Sequence, residues 1–129
     1  MRTSLFILLL SAFFGVRSGS AQDPVKIAPK NYAVLLENEQ VRVMKGCLKP
    51  GEKIPMHSHV GRVIYEMTDH TSRFTFPAAS SVVSRSKAGE VKWGTPVTHS
   101  EENIGNTEGC ALIVELKQQQ LSKSPNRQP

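Results

Sequence analysis

Two of the four histidines in the chain, His57 and His59, are separated by a single serine in the stretch GEKIPMHSH at residues 51–59. On a β-strand, residues i and i+2 face the same side, so the two imidazoles would lie about 6–7 Å apart along one face. This spacing suits two ligands of one metal ion. Exposed histidines on a surface strand are the alternative, and the H-x-H pattern alone does not decide between them.

A third histidine, His99, lies about 40 residues later in the stretch GEVKWGTPVTHSEEN at 89–103, after a Gly-Thr-Pro turn. Three neutral imidazoles with open coordination positions would suit Fe, Zn, Mn, Ni or Cu, and the ligand type alone does not choose among these divalent metals. A metal held this way can polarise a bound oxygen, or activate water or dioxygen.

Short segments rich in β-branched residues surround these histidines and alternate with turn residues, about every eight to twelve positions. The segments are 32–36, 41–48, 53–59, 62–68, 72–76, 81–85, 91–93, 97–104 and 110–116. No window carries apolar residues at helical spacing. Many short strands at even spacing predict an all-β domain, either an antiparallel sandwich or a barrel.

The two histidine motifs, in this order and at this separation, resemble those of the cupin superfamily over roughly residues 32–117. The first cupin motif has a glycine, five residues and H-x-H, which match Gly51, His57 and His59. The second has a glycine, a proline, a histidine and then an asparagine, which match Gly89, Pro96, His99 and Asn103. The resemblance implies a cupin-like jelly-roll β-barrel of antiparallel strands, with a divalent metal ion held by the three histidines.

The chain departs from the first motif at its carboxylate. The glutamate of the family should follow the second histidine after three or four residues, where Val63 and Ile64 stand. Arg62 cannot bind a metal; it is interpreted as a surface arginine, with a pocket cation for an anionic substrate as the alternative. Glu66 lies farther along the strand, and Glu101 is a weak substitute two residues after the third histidine. We therefore expect a three-histidine site completed by water.

Other residues of the motifs have less specific interpretations. Asn103 either holds the turn at the end of its strand or supports the ring of His99 from behind. His70, in an Asp-His-Thr turn, is expected to be solvated. The main aromatic residues are expected to fill the core: Tyr65, Phe74, Phe76 and Trp93.

Residues 1–21 are predicted to be a secretory signal peptide, because one positive charge at Arg2 precedes an apolar run from Leu5 to Val16 and a small, polar stretch. The run is too short to span a membrane, which needs about 20 apolar residues. We expect cleavage after Ala21 and export to the periplasm or the medium. Residues 22–31 are predicted to be an N-terminal extension, 32–117 the barrel domain, and the polar segment 118–129 a disordered tail.

The charge of the chain says little about its partners. Removal of the leader takes Arg2 and Arg17 from 16 basic residues, against 11 acidic residues, and leaves a net charge of +3. This mild charge, without a basic stripe, does not indicate nucleic acid, and no membrane contact is expected once the leader is gone. We expect a small-molecule substrate or ligand, and the resemblance to small cupins implies a homodimer formed through edge strands.

The chain has two cysteines, Cys47 and Cys110. In a jelly roll, the strand before the first histidine motif lies antiparallel beside the last strand. Pairing the cysteines across these strands also pairs Val41 with Leu116, and directly opposite residues can approach closely enough for a disulfide. Export would supply an oxidising compartment. A Cys47–Cys110 disulfide is therefore predicted, with two buried free thiols as the alternative.

The resemblance implies a site and does not name a reaction. Cupins include dioxygenases, sugar isomerases and proteins that only bind. Two function classes follow: a small-molecule metalloenzyme, either dioxygenase-like or isomerase-like, or a non-catalytic binder of a metal or small ligand. An acid or base near the metal would favour the enzyme, whereas a cavity with room for water alone would favour the binder.

Overall fold

The computed structural model describes residues 22–117, so the predicted leader and the predicted tail lie outside the described residues. One helical turn precedes nine strands: α1 Pro24–Ile27, β1 Tyr32–Glu37, β2 Val41–Leu48, β3 Lys53–His59, β4 Arg62–Glu66, β5 His70–Thr75, β6 Ser81–Ser86, β7 Val91–Gly94, β8 Val97–Asn103 and β9 Gly109–Leu116. No helix within this range is long and apolar enough to cross a membrane.

The strands form two sheets in which every neighbouring pair is antiparallel. The larger sheet has the order β1-β2-β9-β4-β7, and the smaller has the order β3-β8-β5-β6. Each segment that the sequence predicted as a strand contributes one of the nine. The predicted all-β jelly-roll barrel is therefore confirmed.

The apolar core is small for a domain of this length. It consists of Ala28, Tyr32, Met44, Leu48, Ile54 and Ile113. Several other inward positions carry histidine, arginine, glutamate or serine side chains, which are buried. The space between the sheets contains a cavity that some of these polar side chains line.

The segment before the barrel packs on it. Asp23 caps α1 by accepting a hydrogen bond from the Val25 backbone N–H at 2.9 Å, and Pro24 occupies the first turn, where its missing N–H is no loss. Ala28 belongs to the core, and the Asp23 carboxylate pairs with Arg42 at 2.7 Å. A helix of four residues is too short for helical periodicity to predict it.

The two cysteines form a disulfide between β2 and β9, with their Cα atoms 4.2 Å apart. The register of these strands places Cys47 opposite Cys110 and Val41 opposite Leu116. Both the predicted bridge and the predicted register are confirmed. The bridge joins two central strands of the larger sheet.

A β-bulge in β3 sets the direction of the first histidine. Ile54 pairs with Glu101 and His57 pairs with His99, so β3 carries one more residue than β8 between these pairs. The extra residue lets Ile54 and His57, three positions apart, both turn into the interior. Pro55 lies in the bulge, where its missing N–H is tolerated.

Candidate metal centre

The three predicted ligands come together between the two sheets. His57 and His59 lie on β3 and face the same side, and His99 lies directly opposite His57 on β8. All three side chains are buried. Each histidine contributes one ring nitrogen to the cluster, and these three nitrogens all lie within 4.8 Å of one another. The Nε2 atoms of His57 and His59 are 3.1 Å apart.

The hydrogen bonds of two rings determine which of their nitrogens carries the proton. Nδ1 of His57 is 2.8 Å from the carbonyl oxygen of Pro55, and Nδ1 of His59 is 2.7 Å from a carboxylate oxygen of Glu115. Both partners only accept, so each Nδ1 must donate its proton. The Nε2 atoms of His57 and His59 are then both unprotonated, and their lone pairs face each other across 3.1 Å. A shared cation would make this arrangement favourable, and the donor set fits a metal ion.

Glu115 supports this centre from behind His59. Its second oxygen accepts hydrogen bonds from Arg42 Nε at 2.9 Å and from a terminal nitrogen of Arg42 at 2.6 Å. Burial alone would raise the pKa of Glu115, but its hydrogen bonds from His59 and Arg42 outweigh burial and lower that pKa. A charged carboxylate behind a metal-binding imidazole fixes the ring and makes it a better ligand. The sequence did not reveal Glu115, because its partner is far away in the chain.

The histidines are neutral near pH 7, as metal binding requires. Burial lowers the pKa of His57 to about 4. Burial, and then the nearby His57, His59 and Arg62, lower the pKa of His99 to about 3. Burial also lowers the pKa of His59, although Glu115 opposes this change.

Two aromatic side chains lie against the histidines. Phe74 stacks on His99 with ring centroids 5.0 Å apart and an interplanar angle of 28°. The hydroxyl of Tyr32 is 3.5 Å from Nε2 of His57, and burial raises the pKa of Tyr32. Tyr32 therefore keeps its proton and places a hydroxyl donor beside the ligand nitrogen.

A cavity of about 400 Å³ opens beside the histidines. Its aromatic walls are Phe74 and Phe76. The prediction that the large aromatic residues fill the core is wrong for two of them, since Trp93 is 60% exposed and Tyr65 is 45% exposed. Trp93 lies opposite Val63, on the outer side of the sheet with Tyr65. The cavity itself has room for a small organic molecule.

Arg62 lies in this cavity wall, and its interpretation as a surface arginine is wrong. Only 6% of the residue is exposed, and a terminal nitrogen donates to the carbonyl oxygen of Thr95 at 2.9 Å. Strand β4 buries its polar residues Arg62 and Glu66, while Tyr65 on the other face is exposed. Burial lowers the pKa of Arg62, yet a guanidinium remains charged in proteins.

The far end of the cavity holds a second polar cluster, made of Glu66, His70, Ser86 and Lys92. Glu66 accepts hydrogen bonds from Ser86 at 3.0 Å and from Lys92 at 3.1 Å. His70 is largely buried, with Nε2 3.8 Å from Glu66 and Nδ1 donating to the Thr68 carbonyl at 3.0 Å. The expectation that His70 is solvated is therefore wrong.

Neither carboxylate considered as a substitute ligand joins the histidines, since among residues 22–117 the cluster suited to a metal contains the three histidines alone. Glu66 belongs to the second polar cluster. Glu101 lines the cavity and accepts a hydrogen bond from Ser72 at 2.8 Å. Burial raises the pKa of Glu101, so this carboxyl can carry a proton toward the cavity.

Asn103 holds the strand-end turn. Its amide nitrogen donates to the carbonyls of Leu48 at 2.9 Å and Thr107 at 2.8 Å, and its oxygen accepts from the Gly105 N–H at 2.9 Å. These bonds use both amide protons of the side chain. Of the two interpretations of Asn103, the geometry corresponds to the turn.

Solved structures share this architecture. A cupin domain from Bordetella pertussis Tohama I superposes with a TM-score of 0.62 at 27% identity, over 67% of this chain and 92% of that one. A protein with a double-stranded β-helix domain from Klebsiella pneumoniae superposes with a TM-score of 0.51 at 20% identity, over 67% and 83%. An RmlC-like cupin family protein from Methanocaldococcus jannaschii superposes with a TM-score of 0.52 at 17% identity, over 66% of this chain and 77% of that one.

No protein-family sequence model matches the chain, and no curated protein sequence does. The jelly-roll fold, its structural neighbours and the histidine pair of β3 facing the histidine of β8 define the class. The chain therefore has the cupin fold. Within that class it is a small single-barrel form with a three-histidine cluster and without the glutamate of the first motif.

Proposed function

We propose that this protein binds one divalent metal ion through the Nε2 atoms of His57 and His59 and one ring nitrogen of His99. The observation that carries the proposal is the pair of facing lone pairs on His57 and His59, 3.1 Å apart, with both Nδ1 protons already donated elsewhere. Two neutral acceptors this close repel each other unless a cation lies between them.

We further propose that the protein is a small-molecule metalloenzyme. When bound, a divalent metal at this site would supply a Lewis acid with open coordination positions. Tyr32 and Glu101 line the cavity, and burial raises the pKa of both side chains, which favours their protonated forms. The cavity of about 400 Å³ has room for more than water, which favours an enzyme over a protein that only binds metal.

Two reaction classes fit this proposal, a dioxygenase and an isomerase. Two proton carriers near a Lewis acid favour the isomerase, because isomerisation moves protons and needs an acid or base in reach. Oxygen consumption with the metal-loaded protein separates the classes. An isomerase would turn over substrate without consuming oxygen, whereas oxygen uptake coupled to turnover would establish the dioxygenase.

Export is a further part of the proposal. The disulfide between Cys47 and Cys110 supports an oxidising compartment. Intact-mass spectrometry of the protein from its native host should give a chain that begins near Gln22. A soluble full-length mass would contradict export with cleavage.

Metal content tests the site directly. His57→Ala, His59→Ala and His99→Ala should each lose most of the metal in protein purified without a histidine tag. His70→Ala is the matched control, because His70 also lines the cavity but lies at its far end, in contact with Glu66. Equal metal in the His99→Ala and parent proteins would refute the three-histidine site.

A further inference from the structure

Arg62 is the one buried lysine or arginine among residues 22–117, and it has no carboxylate partner. Arg42 pairs with Asp23 and Glu115, and Lys92 pairs with Glu66 and Glu90. Among residues 22–117, no aspartate or glutamate forms an ion pair with Arg62, although the side chain is buried. Its one described hydrogen bond, to the carbonyl of Thr95, leaves most of its five N–H donors without a protein acceptor.

The nearest carboxylate across the sheet is already occupied. Glu115 stands opposite both Arg42 on β2 and Arg62 on β4. Its oxygens accept hydrogen bonds from Arg42 and His59, at 2.6–2.9 Å. Glu115 therefore makes no hydrogen bond to Arg62, although its negative charge favours the charged guanidinium, which lines the cavity.

The sequence makes room for the guanidinium. Gly94 lies opposite Arg62 on β7, and a Cβ atom added there would be 2.8 Å from Cζ of Arg62. Any side chain at Gly94 would push the guanidinium away. The hydrogen bond to the next residue, Thr95, holds the group from the same side. Arg62 is thus held in place at the cavity by its surroundings.

A buried cation without a counter-ion is unfavourable, and buried charges are normally paired. The imidazoles beside it cannot supply a negative charge, because histidine is either neutral or positive, and a divalent metal would add two positive charges. An anion in the cavity would neutralise this excess. The planar fork of N–H donors in a guanidinium matches a carboxylate, which it can bind through two parallel hydrogen bonds.

We propose that the cavity binds a small organic carboxylate, whose carboxylate group pairs with Arg62 and whose apolar part lies against Phe74 and Phe76. This substrate class deepens the proposed function, since it places the organic part of the molecule beside the three histidines. The anchoring itself rests on Arg62 and Gly94. It can therefore be tested separately from the metal.

The test uses the mature protein loaded with zinc, and isothermal titration calorimetry measures the binding. Cyclohexanecarboxylate is the probe, and the uncharged cyclohexanecarboxamide is its matched control. The parent should bind the carboxylate at least tenfold more tightly than the amide. Arg62→Gln should weaken carboxylate binding by about tenfold to a hundredfold, as expected for a charge-assisted pair, and leave amide binding unchanged.

Two more variants guard against misfolding and against general charge effects. Gly94→Ala keeps the arginine but crowds its guanidinium, so carboxylate binding should weaken in this variant too. If Arg62→Gln does not fold, Gly94→Ala can be measured in its place. Arg85→Gln removes an exposed arginine of β6 and should bind as the parent does. Equal binding of carboxylate and amide by the parent, or unchanged carboxylate binding in Arg62→Gln and Gly94→Ala, would overturn the proposal.

Zinc content, measured on the same samples, separates this proposal from the metal site. Zinc retained while Arg62→Gln loses carboxylate binding supports both. Carboxylate binding that depends on Arg62 in a parent that holds no zinc would support the anchor and refute the metal site. Zinc bound by a parent with no preference for the carboxylate would refute the anchor alone.

Discussion

The two ends of the cavity are both polar and buried, yet they differ in how their groups are satisfied. At the far end, Glu66 accepts hydrogen bonds from Ser86 and Lys92, and His70 lies beside it. These groups therefore pair with one another. At the histidine end, three imidazoles direct nitrogens toward one another, and Arg62 has no carboxylate partner among residues 22–117.

This difference indicates which end binds something. Buried polar groups in proteins are almost always paired, so a cluster that pairs internally needs nothing else. A cluster that leaves lone pairs and a charge unmatched needs a ligand to complete it. We therefore assign a structural role to the far end and ligand binding to the histidine end.

The largest effect on stability should come from the disulfide, which lies away from the histidines on β2 and β9. Replacing Cys47 and Cys110 together with serine removes a cross-link spanning 63 residues and should lower the free energy of unfolding by roughly 4 kcal/mol. Urea unfolding measures this loss. The zinc content of the variant at low temperature should stay at the parent level. A variant that folds but cannot bind zinc would contradict the expectation that the disulfide stabilises the fold without affecting the histidine cluster.

Glu115→Gln should affect both stability and metal binding, since this carboxylate joins Arg42 to His59. Removing one partner of a buried ion pair should lower the free energy of unfolding by about 3 kcal/mol. Loss of the support behind His59 should weaken zinc binding by about tenfold to a hundredfold, measured by competition with a chelator. Glu102→Gln, on the outer face of β8, is the control; an unchanged zinc affinity in Glu115→Gln would contradict the supporting role.

Acid should destabilise the metal-free protein through the histidine end. The folded-state pKa is about 4 for His57 and about 3 for His99, below the value of about 6.5 expected in the unfolded chain. The unfolded state therefore takes up protons first, so stability is full above about pH 6.5 and falls as the pH drops toward those lower values. Urea midpoints of chelator-treated protein should fall from pH 7 to pH 5, and His57→Ala should flatten this dependence; a slope unchanged by that substitution would contradict it.

The smallest effect is expected at the far end. Glu66→Gln loses a charge-assisted hydrogen bond from Lys92, which still pairs with Glu90, so the free energy of unfolding should fall by about 1 kcal/mol. Zinc affinity should stay the same. A loss of zinc equal to that in Glu115→Gln would break the distinction between the two ends.

Local rules predicted the elements and the grouping of the three histidines. Alternation along β3 placed His57 and His59 on one face, and the cysteines gave the register of β2 and β9, because both are consequences of regular strand geometry. The bulge before His57 was not predicted, since it is set by pairing with β8.

Residues that depend on distant partners were missed or misplaced. Arg62 looked like a surface residue because Val63, Ile64 and Tyr65 make both faces of β4 apolar, so the pattern does not tell which face is inward. The structure buries the polar ends of that strand, which inverts the usual rule. Glu115 and Tyr32 come near the histidines only through the packing of the two sheets, which the sequence does not record locally.

The central claim is that three imidazoles hold one metal ion at the histidine end. Zinc X-ray absorption, on protein purified without a histidine tag and loaded with zinc, tests it most directly. The account predicts one zinc ion per chain with three imidazole ligands at about 2.0–2.1 Å. Fewer than three imidazoles around the zinc, or no stoichiometric zinc in the parent protein, would contradict it.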